Sequence, residues 1–143
     1  MIEAAAFISE VLKWERQEYS DLEIGLPYLL ARHWVSILCI ELGIVDHEIG
    51  FFYCTTRHKV LNGRADVGES PFDPNRKRVR LNLYPPHSLR TLGHEMAHIA
   101  RWCRHGLTGH RGTWPADLKE VHTLSRKHLP RLHWCDLPIR EGA

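Results

Sequence analysis

Apolar residues near the start of the chain recur at three- and four-residue steps. Phe7, Ile8, Val11, Leu12 and Trp14 predict an amphipathic helix over residues 3–19. Pro27 opens a second helix carrying Leu30, Trp34, Ile37, Leu38 and Glu41, and Gly43 is placed to stop it. The rhythm then changes. Residues 49–56 are β-rich, Asn62-Gly63 marks a tight turn, and residues 64–67 can return as a second strand. Residues 70–75, with two prolines, read as loop, and residues 77–83 alternate charged and aliphatic side chains as a strand with one wet face does. Pro85-Pro86 ends that strand. Ser88 can cap a third helix running to about Arg104, whose Leu89, Leu92, Met96, Ile99, Ala100 and Cys103 should face the core. A glycine-bounded loop, Gly106 to Gly112, leads to a last helix from about Trp114 to His128, with Thr113 as cap and Pro115 in its first turn. The expected class is α+β: two N-terminal helices, a small antiparallel three-stranded sheet, then two helices.

Composition bounds this picture. At 143 residues, 43% hydrophobic and 25% charged, the chain suits one domain over residues 1–143 with a sizeable core. No apolar run approaches the roughly 18 residues of a membrane span, and the N-terminus lacks the basic region of a signal peptide. The four cysteines (Cys39, Cys54, Cys103 and Cys135) form no CxxC pair, which argues against a disulfide framework or cysteine ribbon and for a reducing, cytoplasmic setting. Charge is polarised. Residues 1–50 hold nine acids against three bases, net −6, and residues 51–143 hold sixteen bases against eight acids, net +8. A basic half of this kind can attract polyanions.

The chemistry lies in His94-Glu95-Met96-Ala97-His98. Histidines four apart on a helix share one face and can bind one zinc ion. Glu95, turned about 100° from His94, lies beside such an ion without being forced to ligate it, where it can take a proton from metal-bound water. With eleven His and eleven Glu in the chain, an HExxH by chance is not negligible. The context carries the argument: the motif falls inside a strongly patterned helix, after a strand and before a further histidine across a glycine loop.

A catalytic zinc site takes three protein ligands and keeps a fourth position for water. The metzincin spacing would need glycine at 101 and histidine at 104, and both positions are arginine. His105 sits too near the end of the same helix to swing back. His110, between Gly109 and the Arg111-Gly112 pair, has a backbone free to fold toward the metal. It is the favoured third ligand, with Glu120 on the next helix as the alternative. The sequence identifies no oxyanion-stabilising residue; Arg111, Tyr84 and His122 are candidates, and a packing or surface role is the favoured reading of each.

Together, Leu81-Asn82-Leu83, the HExxH, Trp102, Gly109-His110 and Trp114 resemble the SprT-like metallopeptidase domain, a family that includes the Spartan DNA–protein crosslink proteases. Upstream, Thr55 to His58 and Gly63 to Val67 look like the family's first two strands, so the resemblance covers about residues 26–128. It implies a minimal zincin-like fold without a C-terminal zinc ribbon, with His94, His98 and His110 as Zn2+ ligands and Glu95 as catalytic base. It also implies a protein or peptide substrate, with DNA-associated proteins one class. Arg111 stands where the family usually has glycine.

Arg76, Arg78 and Arg80 would form a stripe on one face of the third strand, beside the cleft, able to meet acidic peptide or DNA backbone, with Arg111 nearby. A solvated edge strand protected by charge is the competing reading. The expectation is therefore a monomeric, cytoplasmic zinc endopeptidase without membrane association, at the nucleoid if it binds DNA. The alternative is a non-catalytic zinc module whose basic face holds nucleic acid.

Overall fold

The computed structural model describes residues 2–44, 48–69 and 77–135. The expected loop over 70–75, Arg76 and His47 lie outside them, as do the side chains of Phe7, Ile8, His133 and Trp134. The chain runs through α1 (Ile2–Glu18), a single 3-10 turn (Ser20–Leu22), α2 (Tyr28–Leu42), β1 (Glu48–Tyr53), β2 (Gly63–Glu69), β3 (Lys77–Leu83), α3 (Leu89–His105) and α4 (Trp114–Cys135). The class is α+β, with four helices and one small sheet.

Helix ends follow local chemistry. Gly43 and Gly106 close α2 and α3 in the left-handed region, at φ 70° and 66°, which glycine enters without a side-chain penalty. The Ser88 hydroxyl accepts the Thr91 N–H at 3.0 Å and so satisfies one orphan donor at the head of α3. At α4 the Asp117 N–H bonds the Thr113 carbonyl at 3.0 Å. This last helix does not stop at His128: it continues through Pro130 to Cys135, with Leu129 packed against the core. Proline forfeits one backbone hydrogen bond there without ending the helix.

The sheet departs from the expected antiparallel arrangement. Its order is β1-β3-β2, with β2 antiparallel to β3 and β1 parallel to it, so the sheet is mixed. Glu48 aligns with Arg78 and Tyr53 with Leu83 in the parallel seam. β1 and β2 do not pair, so Asn62-Gly63 turns no hairpin between them. β1 also ends at Tyr53, short of Thr55 and Thr56.

Helix α3 packs on one face of this sheet. Val79, Leu81 and Leu83 are buried toward α3, while Arg78 and Arg80 are exposed on the other face, where Arg80 lies over the Phe52 ring at 4.3 Å. The core is built from these strand residues together with Leu30, Trp34 and Leu38 of α2, Leu92, Met96 and Ile99 of α3, and Leu118 and Val121 of α4. Every core position expected on α3 is buried or half-buried. Trp34 and Trp114 are buried as expected, but Trp14 is 37% exposed. Among the described residues no helix is long and apolar enough to cross a membrane.

Candidate metal centre

Three imidazoles meet at the middle of α3. The helix puts His94 and His98 one turn apart, with ring centroids 5.1 Å from each other. The loop after α3 brings in the third. His110 Nε2 lies 3.0 Å from His98 Nε2 and 3.3 Å from His94 Nε2. Among the described residues these three form a cluster whose ligand atoms all fall within 4.8 Å of one another. Zinc–nitrogen bonds of 2.0–2.1 Å at tetrahedral angles separate ligand nitrogens by about 3.3–3.4 Å. The donor set could therefore hold a metal ion, and its two Nε2 separations lie near that spacing. Glu120 is not part of it. Its carboxylate is half-exposed and ion-paired to Arg104 at 2.6 Å.

Arg101 explains how the loop reaches the site. It is 4% exposed, donates from Nη1 to the Gly109 carbonyl at 2.8 Å and from Nη2 to the Arg111 carbonyl, and its Nε lies 3.3 Å from Asp117. One guanidinium thus grips the peptide groups on both sides of His110. Gly109 and Gly112, at φ 80° and 63°, supply the turns. Trp114, fully buried, backs all three imidazoles: it stacks on His98 at 4.2 Å and 21° and meets His94 and His110 edge-on at 5.0 and 4.9 Å.

Glu15 has no counterpart in the motif. This carboxylate from α1 is 1% exposed, yet it accepts from Arg90 Nη1 at 2.6 Å, His94 Nδ1 at 2.9 Å and His122 Nε2 at 3.1 Å. Burial alone would raise its pKa, but the hydrogen bonds from His122 and His94 prevail and hold it well below the usual carboxylate range. An ionised carboxylate only accepts, so His94 must present a proton on Nδ1, and Nε2 is the nitrogen left facing the cluster. His122 is fully buried, and its ring lies against Gly93, where a Cβ would come within 2.9 Å of Nδ1.

Burial pushes the His98 pKa down to about 3, assisted by the neighbouring His94 and His110, and burial lowers His110 as well. Both rings are thus held neutral, the form that ligates a metal. Glu95 is 8% exposed and bonds the Ala65 backbone. Burial raises its pKa above the ordinary value.

A cavity of about 470 Å³ opens over the cluster, lined by Glu95, the three histidines, β2 from Gly63 to Ala65, and Leu12 and Arg16 of α1. Gly63 permits this closeness, since a Cβ there would lie 2.7 Å from Thr91 Cγ2 and 2.9 Å from Glu95 Cγ. Neither Arg78 nor Arg80 lines the cavity. They border a separate depression on the far face of the sheet, so these two arginines do not line this cleft. Arg111 is exposed and contributes its carbonyl to Arg101. Tyr84, His122 and Arg111 are all absent from the cavity wall.

The chain matches no protein-family model, no curated protein and no solved structure.

Proposed function

We propose that the protein is a zinc-dependent peptidase of the zincin type, similar to the SprT-like domain, that hydrolyses peptide bonds in protein or peptide substrates. One observation carries the reading: three imidazole nitrogens converge beside a buried carboxylate in an open cavity. His94, His98 and His110 would hold the ion through Nε2. When bound, zinc supplies a Lewis acid and a water acidified toward a pKa of about 7.

The chain's own residues do the rest. The Glu95 carboxylate is anchored by the Ala65 N–H and made more basic than usual by burial, so it accepts a proton and returns it to a leaving amine. Glu15 holds the His94 tautomer, Arg101 holds the His110 loop, and Trp114 excludes water from behind the rings. The exposed edge of β2 beside Glu95 offers backbone groups to an extended substrate.

A nucleic acid held by Arg78 and Arg80 would lie on the opposite side of the sheet from this cavity. Action on DNA-associated proteins, and the alternative of a non-catalytic zinc module, therefore rest on a surface separate from the cleft. A structural zinc site has no need of a carboxylate base between its ligands, and Glu95 favours catalysis.

Metal analysis and digestion of an unfolded protein test the proposal together. The expected result is one zinc per chain, cleavage abolished by a chelator, and a Glu95→Gln variant that keeps zinc and loses cleavage. A zinc-loaded wild type that cleaves neither itself, nor unfolded protein, nor DNA-bound protein would overturn it in favour of the non-catalytic module.

A further inference from the structure

We infer that Glu15 makes helix α1 a working part of the metal centre. Its carboxylate fixes His94 as an Nε2 ligand, so metal binding and the docking of α1 reinforce one another. The inference rests on the zinc reading of the histidine cluster but not on peptidase activity.

Among the described side chains of α1, residues 10–18, only Val11 and Glu15 are buried. Over these described side chains, the docking of α1 rests on Val11 and on what the buried Glu15 carboxylate meets. That charge meets α3 twice, at Arg90 and His94, and α4 once, at His122. Each contact crosses 75 residues of sequence or more. Breaking one of these contacts while the carboxylate stays buried is unfavourable, so the three hold Glu15 in place together.

The coupling runs through the His94 ring. With Nδ1–H tied to Glu15, the ring has one tautomer and one orientation, and Nε2 faces His110 at 3.3 Å. Without Glu15 the proton is free to sit on either nitrogen and the ring to turn, and a metal must select the right state from several. Reciprocally, an ion on Nε2 polarises the Nδ1–H bond and strengthens its attachment to Glu15. Linkage then requires that whatever tightens one tightens the other. α1 also contributes Leu12 and Arg16 to the wall of the cavity, so its docking shapes the space a ligand enters. Glu15 is thus a positioning residue, acting through His94.

Two measurements on the full chain test this. In the first, zinc affinity is read by competition with a chromogenic chelator for wild type, Glu15→Gln and Glu23→Gln. Glu23 bonds the same Arg90 from its exposed side without touching His94, so it controls for general loosening of the network. Loss of such an outer carboxylate weakens metal binding about 10- to 100-fold. That loss is expected for Glu15→Gln, with Glu23→Gln near wild type. In the second, hydrogen exchange of wild type is followed with and without zinc, and needs no variant should Glu15→Gln fail to fold. Zinc should slow exchange in residues 10–18 as well as in the loop carrying His110. Protection of the loop with α1 unchanged would overturn the inference, as would unaltered zinc affinity in Glu15→Gln, and either result leaves the metal site standing. A wild type that binds no zinc at micromolar concentration overturns the metal reading and this inference with it.

Discussion

The indole of Trp114 and the imidazole of His98 stack at 4.2 Å, their planes 21° apart, so the first residue of α4 forms the back wall of a site whose front belongs to α3. Trp114 therefore serves packing and ligand geometry together. Trp114→Ala should cost about 3–5 kcal/mol of stability, as large aromatic deletions from cores do. Zinc affinity should fall as well, since two further imidazoles lose the same wall. Thermal melts and chelator competition check both, and Trp114→Phe should recover most of the stability.

Gly63 offers a way to disturb the base without touching the ligands. A methyl group there would meet Thr91 and Glu95 below 3.0 Å, and overpacking of this kind costs about 1–3 kcal/mol. Gly63→Ala is expected to keep zinc while its kcat drops through displacement of Glu95. Equal kcat in the two proteins would show that the base tolerates the shift.

Arg101→Met keeps the apolar stem of the side chain and removes its grip on the carbonyls of Gly109 and Arg111. The two carbonyls lose charged donors, worth about 1.5–3 kcal/mol each by hydrogen bonding alone. Zinc affinity should fall through His110, and the loop over 106–112 should become the first site of proteolytic nicking. Intact binding and an uncut loop would mean that the glycine turns suffice.

Glu95 is held in the fold at a disadvantage. Its folded pKa lies above the ordinary 4.5, so its contribution to stability is favourable below that pH and is lost as pH rises through the folded value. At neutral pH this raised pKa is a burden on the metal-free protein. Glu95→Gln should raise the neutral-pH melting temperature of the metal-free form, and the gain should vanish below about pH 4.5. A melting temperature unchanged across that range would mean that the carboxylate carries no such burden.

What the residue pattern made legible was local. Three- and four-residue spacing identified α3, its inward face and the His94–His98 pair, and the glycines around His110 marked the third ring. Glu15 was not legible, because its partners lie 75 to 107 residues away and nothing near it in the chain distinguishes it from the other acids of an amphipathic helix. Strand alternation correctly separated Val79 and Leu81 from Arg78 and Arg80. It could not say that the apolar face is the one α3 packs on, which is why the arginines end on the side away from the cleft. The parallel seam between β1 and β3 was hidden for a similar reason: a tight-turn signal is local, and strand order is not.

That strand order has a bearing on how the protein is made. β3 supplies Arg78 to Leu83 to both seams, and β1 and β2 are not paired with each other. A nascent chain that has emerged only as far as residue 76 holds two orphan strands and no sheet. Residues 77–83 close both seams in one stroke, and α3 follows six residues later. Translation thus delivers the sheet and the histidines that lean on it almost together, leaving little time for a half-built platform to find a wrong partner.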